Sequence, residues 1–147
     1  MSYTQDNFQE WIFLIADKMD AFTGAFASRH HLTADYSIRS LDDIEQWIFR
    51  TYPTIQHLRE DPETLDLLTV YIGETFRKHI GGKWMMDTED QKNAYYMMPV
   101  LTSPDFCGEV YKAPRTFATA AIPRKKGNYI STILKNNMED MGIPVKG

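Results

Sequence analysis

The sequence predicts an α+β fold, with helices at both ends of the chain and a small antiparallel sheet between them. Three observations lead there. Apolar residues recur at helical spacing from Phe8 to Phe26, from Leu41 to Tyr52 and from Leu65 to Ile80. After Gly81-Gly82 the period shortens, and two stretches rich in Trp, Tyr and Met flank a polar segment, the pattern of a hairpin. Helical spacing then returns from Pro114 onward. Helices set apart from an antiparallel sheet along the chain define α+β rather than α/β.

The first helix is expected from near Thr4 to the mid-twenties. Phe8, Trp11, Ile12, Ile15, Met19, Phe22 and Phe26 share one face, while Asp6, Gln9, Glu10, Asp17 and Asp20 take the other. Phe13 is the exception, an aromatic on the polar side. Residues 28–31 break the pattern, and Leu32 to Ser37 reads as an extended segment or brief edge strand. A second helix is expected to start at Ser40, with Asp43 three residues on in a capping-box-like pair. Leu41, Ile44, Ile48 and Tyr52 form its apolar face, and Pro53 ends it. Residues 54–62 read as a connection.

The third helix organises the rest. Glu60, Asp61 and Glu63 place acids at its positive end, and Arg77, Lys78 and His79 place cations at its negative end. At about 100° per residue, Leu65, Leu68, Ile72, Phe76 and His79 fall on one face. Leu67 and Val70 fall on the opposite side, close to Glu74. A helix apolar on two sides is expected to be sandwiched. Gly73 sits in its middle, where glycine costs about 1 kcal/mol relative to alanine, so another element is expected to approach closely there. Gly81-Gly82 stops the helix.

Lys83 to Asp87 and Tyr95 to Leu101 are expected as paired strands joined by residues 88–93, with Glu109 to Tyr111 as a third strand or extended segment. Pro114 opens a short helix carrying Phe117 and Ala118 to Ala121. Residues 123–127 form a basic break, and the last helix runs from Asn128 to Met141 with Ile130, Ile133, Leu134, Asn137 and Met141 on one side.

A length of 147 residues predicts one domain, residues 1–147, able to bury a core without staples. The net charge of -4 is wrong for general phosphate binding or for an anionic membrane surface. It suits a basic protein partner. Cys107 is the only cysteine, so no internal disulfide and no cysteine-based metal site is expected. With no secretory signal at the start and no long apolar run, a cytoplasmic location is expected.

No nucleophile elbow, phosphate loop, dinucleotide fingerprint or HExxH is present. His30, His31, His57 and His79 lack metal-ligand spacing, so no metal and no cofactor is expected. Glu74, on the narrower apolar face, reads as a lock within the fold or as a general acid or base. Arg77 and Lys78 stand three and four residues on, where they pair with it. An enzyme using Glu74 or Cys107 is the alternative reading. The hairpin supplies the candidate recognition surface: Trp84, Met86, Tyr95 and Met97 with the acids Asp87, Glu89 and Asp90. Tyr, Trp and Met are favoured at protein interfaces.

Two segments together resemble a pattern found in small bacterial proteins and domains of largely unknown function. The first is Asp35-Tyr36-Ser37 followed by Ser40-Leu41. The second is Tyr71-x-Gly73-Glu74-x-x-Arg77 ending in Gly81-Gly82-x-Trp84. The pattern usually has Leu where this chain has Ala34. The resemblance carries no catalytic residues, and its shared positions read as fold determinants. By class analogy in size, acidity and lack of chemistry, the chain is similar to immunity proteins. The expected function is therefore a non-catalytic protein-binding domain that neutralises a cognate toxin or effector. A self-associating adaptor that forms a small homo-oligomer through the hairpin edge is a further alternative.

Overall fold

The computed structural model describes residues 5–108 and 110–145. The order is α1 (Gln5–Phe13), α2 (Ile15–Ala21), a π-helical turn at Phe22–Phe26, α3 (Ala27–His30), α4 (Ile38–Thr51), α5 (Ile55–Arg59) and α6 (Pro62–Ile80). Strands β1 (Lys83–Met85), β2 (Val100–Thr102) and β3 (Tyr111–Lys112) follow, then α7 (Pro114–Arg124) and α8 (Tyr129–Asp140). The arrangement is α+β, with helices before and after a three-stranded antiparallel sheet in the order β1-β2-β3.

The N-terminal helix outruns its expected end. It changes hand-hold twice, at Leu14 and in the π turn, and reaches His30 before His31 turns left-handed at φ 55°. The wider π turn re-aims the apolar stripe, so Phe22 stacks on Phe26 at 4.9 Å and Phe26 meets His30 at 4.6 Å. That restored face is what carries the helix on. The expected start at Thr4 lies outside the described residues.

The second helix begins at Ile38 rather than after Ser40. Ser37 is the N-cap, its Oγ accepting from the Ser40 amide at 3.1 Å. Asp43 leaves the proposed capping pair and accepts from the Thr33 amide at 2.8 Å. The expected connection at 54–62 contains α5, capped when Thr54 Oγ1 accepts from the His57 amide. Burial of Leu58 secures that single turn. Across it, the Tyr52 hydroxyl donates to Asp61 at 2.7 Å.

Helix α6 lies inside, as its two apolar faces require. Leu65, Leu68, Val70, Tyr71, Ile72 and Phe76 are buried, and α2, α5, α7, α8 and β2 pack around it. One connected core runs from Phe8 to Met138. Helix α8 keeps nearly its expected bounds, but its cap comes from elsewhere. Asn128 gives no side-chain cap. Instead the buried carboxylate of Glu45, on α4, accepts from the amides of Tyr129 at 3.0 Å and Ile130 at 2.7 Å. The basic break starts two residues later than expected, because α7 absorbs Pro123 and Arg124 before Lys125 turns left-handed.

The hairpin is shorter than its sequence suggests. Lys83 pairs with Thr102, Trp84 with Leu101 and Met85 with Val100. Residues 95–98 form turns rather than strand. Asp87 draws them into a loop by hydrogen bonding, which removes them from the ladder. The third strand is Tyr111–Lys112, paired with β2; Val110 is outside it and Glu109 lies outside the described residues.

Candidate functional site

The two motif segments meet in space. Tyr36 adopts φ 63°, which is unfavourable for a bulky residue, and α6 holds it there. Its amide donates to the Tyr71 hydroxyl at 2.9 Å, and its carbonyl accepts from His79 Nε2 at 2.9 Å. The Ser40 hydroxyl spends its proton on the Ser37 carbonyl, so the 2.7 Å bond between Ser40 and Tyr71 has Tyr71 as donor. The Tyr36 and Tyr71 rings stack at 5.1 Å, and the Lys78 ammonium lies over Tyr36 at 4.7 Å. Burial pushes the hydroxyl pKa of Tyr71, and that of Tyr36, above the ordinary tyrosine value. Asp35 accepts from the Ser37 amide at 3.0 Å. Hydrogen bonding from Ser37 holds its carboxyl below the usual range.

Glu74 forms the second half of this lock. Arg77 Nη1 donates to both of its oxygens, at 2.8 and 3.1 Å, and Trp84 Nε1 donates at 2.9 Å. Arg77 Nε closes the helix end on the Gly82 carbonyl at 3.1 Å. Gly73 is where the indole of Trp84 crosses α6, and a β-carbon there would overlap the ring. Gly82, at φ 104°, lies so close to Phe106 that a β-carbon would stand 2.8 Å from it. Tyr36, Ser40, Tyr71, Gly73, Glu74, Arg77, Gly82 and Trp84 thus tie the turn before α4, helix α6 and β1 together, while Asp35 bonds to Ser37 within its own turn and Gly81 ends α6 at φ 75°.

The expected recognition residues divide. Trp84 and Met86 are buried, at 8% and 4% exposure, so neither presents a surface to a partner. The Trp84 bond to Glu74 is what turns the indole inward. Asp87 is the organiser of loop 86–99. Its carboxylate accepts from the amides of Glu89 and Asp90 at 2.9 and 3.0 Å and from the Asn93 side chain at 2.9 Å. Its carbonyl accepts from the Met97 amide at 2.8 Å, fixing Met97 at φ 61°. The amide of Asp90, the Asn93 side chain and the amide of Glu89 hold the Asp87 carboxyl below the usual range. Glu89 and Asp90 are left exposed at the tip, with Tyr95 and Met97 half-buried on its flank. Tyr95 meets Tyr111 edge-on at 6.2 Å.

Beneath this loop lies a cavity of 270 Å³, lined by Trp11, Asp66, Thr69, Tyr96, Met97 and Arg115 among others. Asp66 is already engaged there, accepting from Trp11 Nε1 at 2.7 Å and pairing with Lys18 at 2.8 Å. Cys107 is exposed, and its thiol donates to the Asp140 carbonyl at 3.4 Å. It is not brought together with Glu74, whose partners are Arg77 and Trp84. Among the described residues no group of three or more His, Cys, Asp or Glu converges on a metal position, and no helix is long and apolar enough to cross a membrane.

No family model, curated protein or solved structure matches the chain.

Sequence reasoning missed Glu45 as a determinant of the fold. Its signal, an acid on the line of Leu41, Ile44 and Ile48, is present but unspecific without its acceptor geometry.

Proposed function

We propose that the chain is a non-catalytic protein-binding domain, an immunity-type inhibitor that acts in the cytoplasm on a cognate toxin or effector. The observation that carries this reading is the loop built on Asp87. One residue, with three hydrogen bonds to its carboxylate and one to its carbonyl, holds an exposed acidic tip and its aromatic flank in a fixed shape. A loop ordered before binding avoids much of the entropy that association otherwise costs. Glu89 and Asp90 supply charge that steers a basic partner, and Tyr95 supplies contact area at low rotamer cost. Glu74 supports the same reading, since its carboxylate is occupied by Arg77 and Trp84.

The test is to co-produce the chain with the product of the adjacent gene and to measure the complex by calorimetry at low and high salt. A complex is expected. The double variant Glu89→Lys/Asp90→Lys should weaken it by roughly tenfold or more, mainly through slower association at low salt. Failure of the wild-type chain to bind or neutralise that product overturns the reading.

A further inference from the structure

We propose that the chain forms a two-fold dimer through the outer face of α1 and α2, with Phe13 of each copy seated in a groove of the other. This surface is separate from the loop on Asp87 and goes beyond the function proposed above.

Phe13 is 82% exposed, far more than Val110 or Val145, the other large hydrophobics left in solvent among the described residues. It stands at the rim of a groove of 460 Å³ lined by Phe8, Ile12, Ile15 and Ala16, with Arg77 and Lys83 at the charged edge. The irregularity at Leu14 does not rotate the two helices apart. Leu14 donates to the Glu10 carbonyl at 3.1 Å and Lys18 to the Leu14 carbonyl at 3.0 Å, so the four-residue ladder crosses the break. Helical angles therefore continue. They place Asp6, Glu10, Asp17 and Asp20 within about 60° of Phe13 on the same outer face.

All four acids are exposed, and none makes an ion pair among the described residues. Lys83 is exposed and likewise makes no ion pair among them. Arg77 adds positive charge, although Glu74 pairs with it. One molecule thus carries an aromatic ridge edged by acids and, beside it, an apolar groove edged by cations. That charge pattern selects a second copy as the occupant. An isologous contact needs a surface complementary to itself, and a two-fold axis here sets each acidic ridge against the other copy's Lys83.

The experiment is sedimentation velocity over a wide concentration range with four chains: wild type, Phe13→Asp, Lys83→Glu and the double variant Glu10→Lys/Asp17→Lys. All four positions are exposed, so thermal melts should confirm folded proteins. The wild type should dimerise, and Phe13→Asp should raise the dimer dissociation constant by roughly tenfold or more, as loss of an aromatic anchor does. Lys83→Glu alone and Glu10→Lys/Asp17→Lys alone should each be mainly monomeric. An equimolar mixture of these two should dimerise, because both charge contacts are restored in the mixed pair. A wild type that stays monomeric throughout, with the face then left to some other partner, overturns the proposal. So does a dimer indifferent to Phe13→Asp, or a mixture that does not associate. None of these outcomes bears on binding through the Asp87 loop, which is read with the adjacent gene product alone.

Discussion

The indole of Trp84 lies across α6 at Gly73, and it does so while donating to Glu74 one residue further along the helix. The glycine makes room for the ring and the acid fixes its orientation. Trp11 closes the contact from the other side, edge-on to Trp84 at 4.9 Å. Strand β1, helix α6 and the N-terminal helix are thereby pinned at one point.

Gly73→Ala should destabilise the protein by about 1–3 kcal/mol, the cost of overpacking. Alanine's better helix propensity returns only about 1 kcal/mol. The atoms that a new β-carbon would strike are on the far rim of the indole, which phenylalanine lacks. In a Trp84→Phe background the Gly73→Ala cost should therefore shrink by more than half. Urea denaturation of the four chains in a double-mutant cycle checks this, and strictly additive costs would contradict the contact.

Removing the remote cap on α8 should be expensive. Glu45→Ala leaves the amides of Tyr129 and Ile130 without their acceptor and should cost about 1.5–3 kcal/mol, the range for hydrogen bonds to a charged group. Glu45→Gln keeps one acceptor oxygen and should cost less. A loss no larger than an ordinary surface change, under about 0.5 kcal/mol, would refute the cap.

Loop 86–99 should respond to acid at a pH below the ordinary aspartate value. The Asp87 carboxyl is lowered by the Asp90 amide, the Asn93 side chain and the Glu89 amide. A depressed pKa contributes order that is complete above the unfolded value, about 3.9, and is lost as pH falls through the folded one. Protection of the Glu89 and Asp90 amides, taken relative to the intrinsic exchange rate at each pH, should hold until the pH passes below about 3.9, then fall. Asp87→Asn should abolish the step. Loop amides that titrate above the ordinary aspartate value would count against Asp87 as the organiser.

Much of the fold was readable because its signals are local. Two apolar faces on one helix predicted the buried α6, and a glycine between them predicted a close crossing. Phe13 stood out as an aromatic among acids before its 82% exposure was on view. That the strand starting at Lys83 pairs antiparallel with one containing Val100 and Leu101, and the bounds of α8 to within a residue, followed from period and punctuation.

Other choices looked equal along the chain. Ser37 and Ser40 are both good N-cap residues, and the cap went to Ser37 because Tyr71, on another helix, takes the Ser40 hydroxyl. Tyr95 to Met98 have the composition of a strand, yet Asp87 and Asn93 hold that stretch in turns. Trp84 and Met86 were candidates for the outer face and turned inward.

The sequence by itself determined the long helical segments, their apolar faces and the stop of α6 at Gly81, since these depend on residues within a turn or two of each other, but not the short α5 or where the N-terminal helix and α7 end. Only the tertiary structure decided which polar group answers which. Glu45 caps a helix 84 positions away, and Tyr36 finds its acceptor 35 positions on. A buried hydrogen-bonding group must find a partner wherever the packing offers one, and spacing along the chain does not encode that distance.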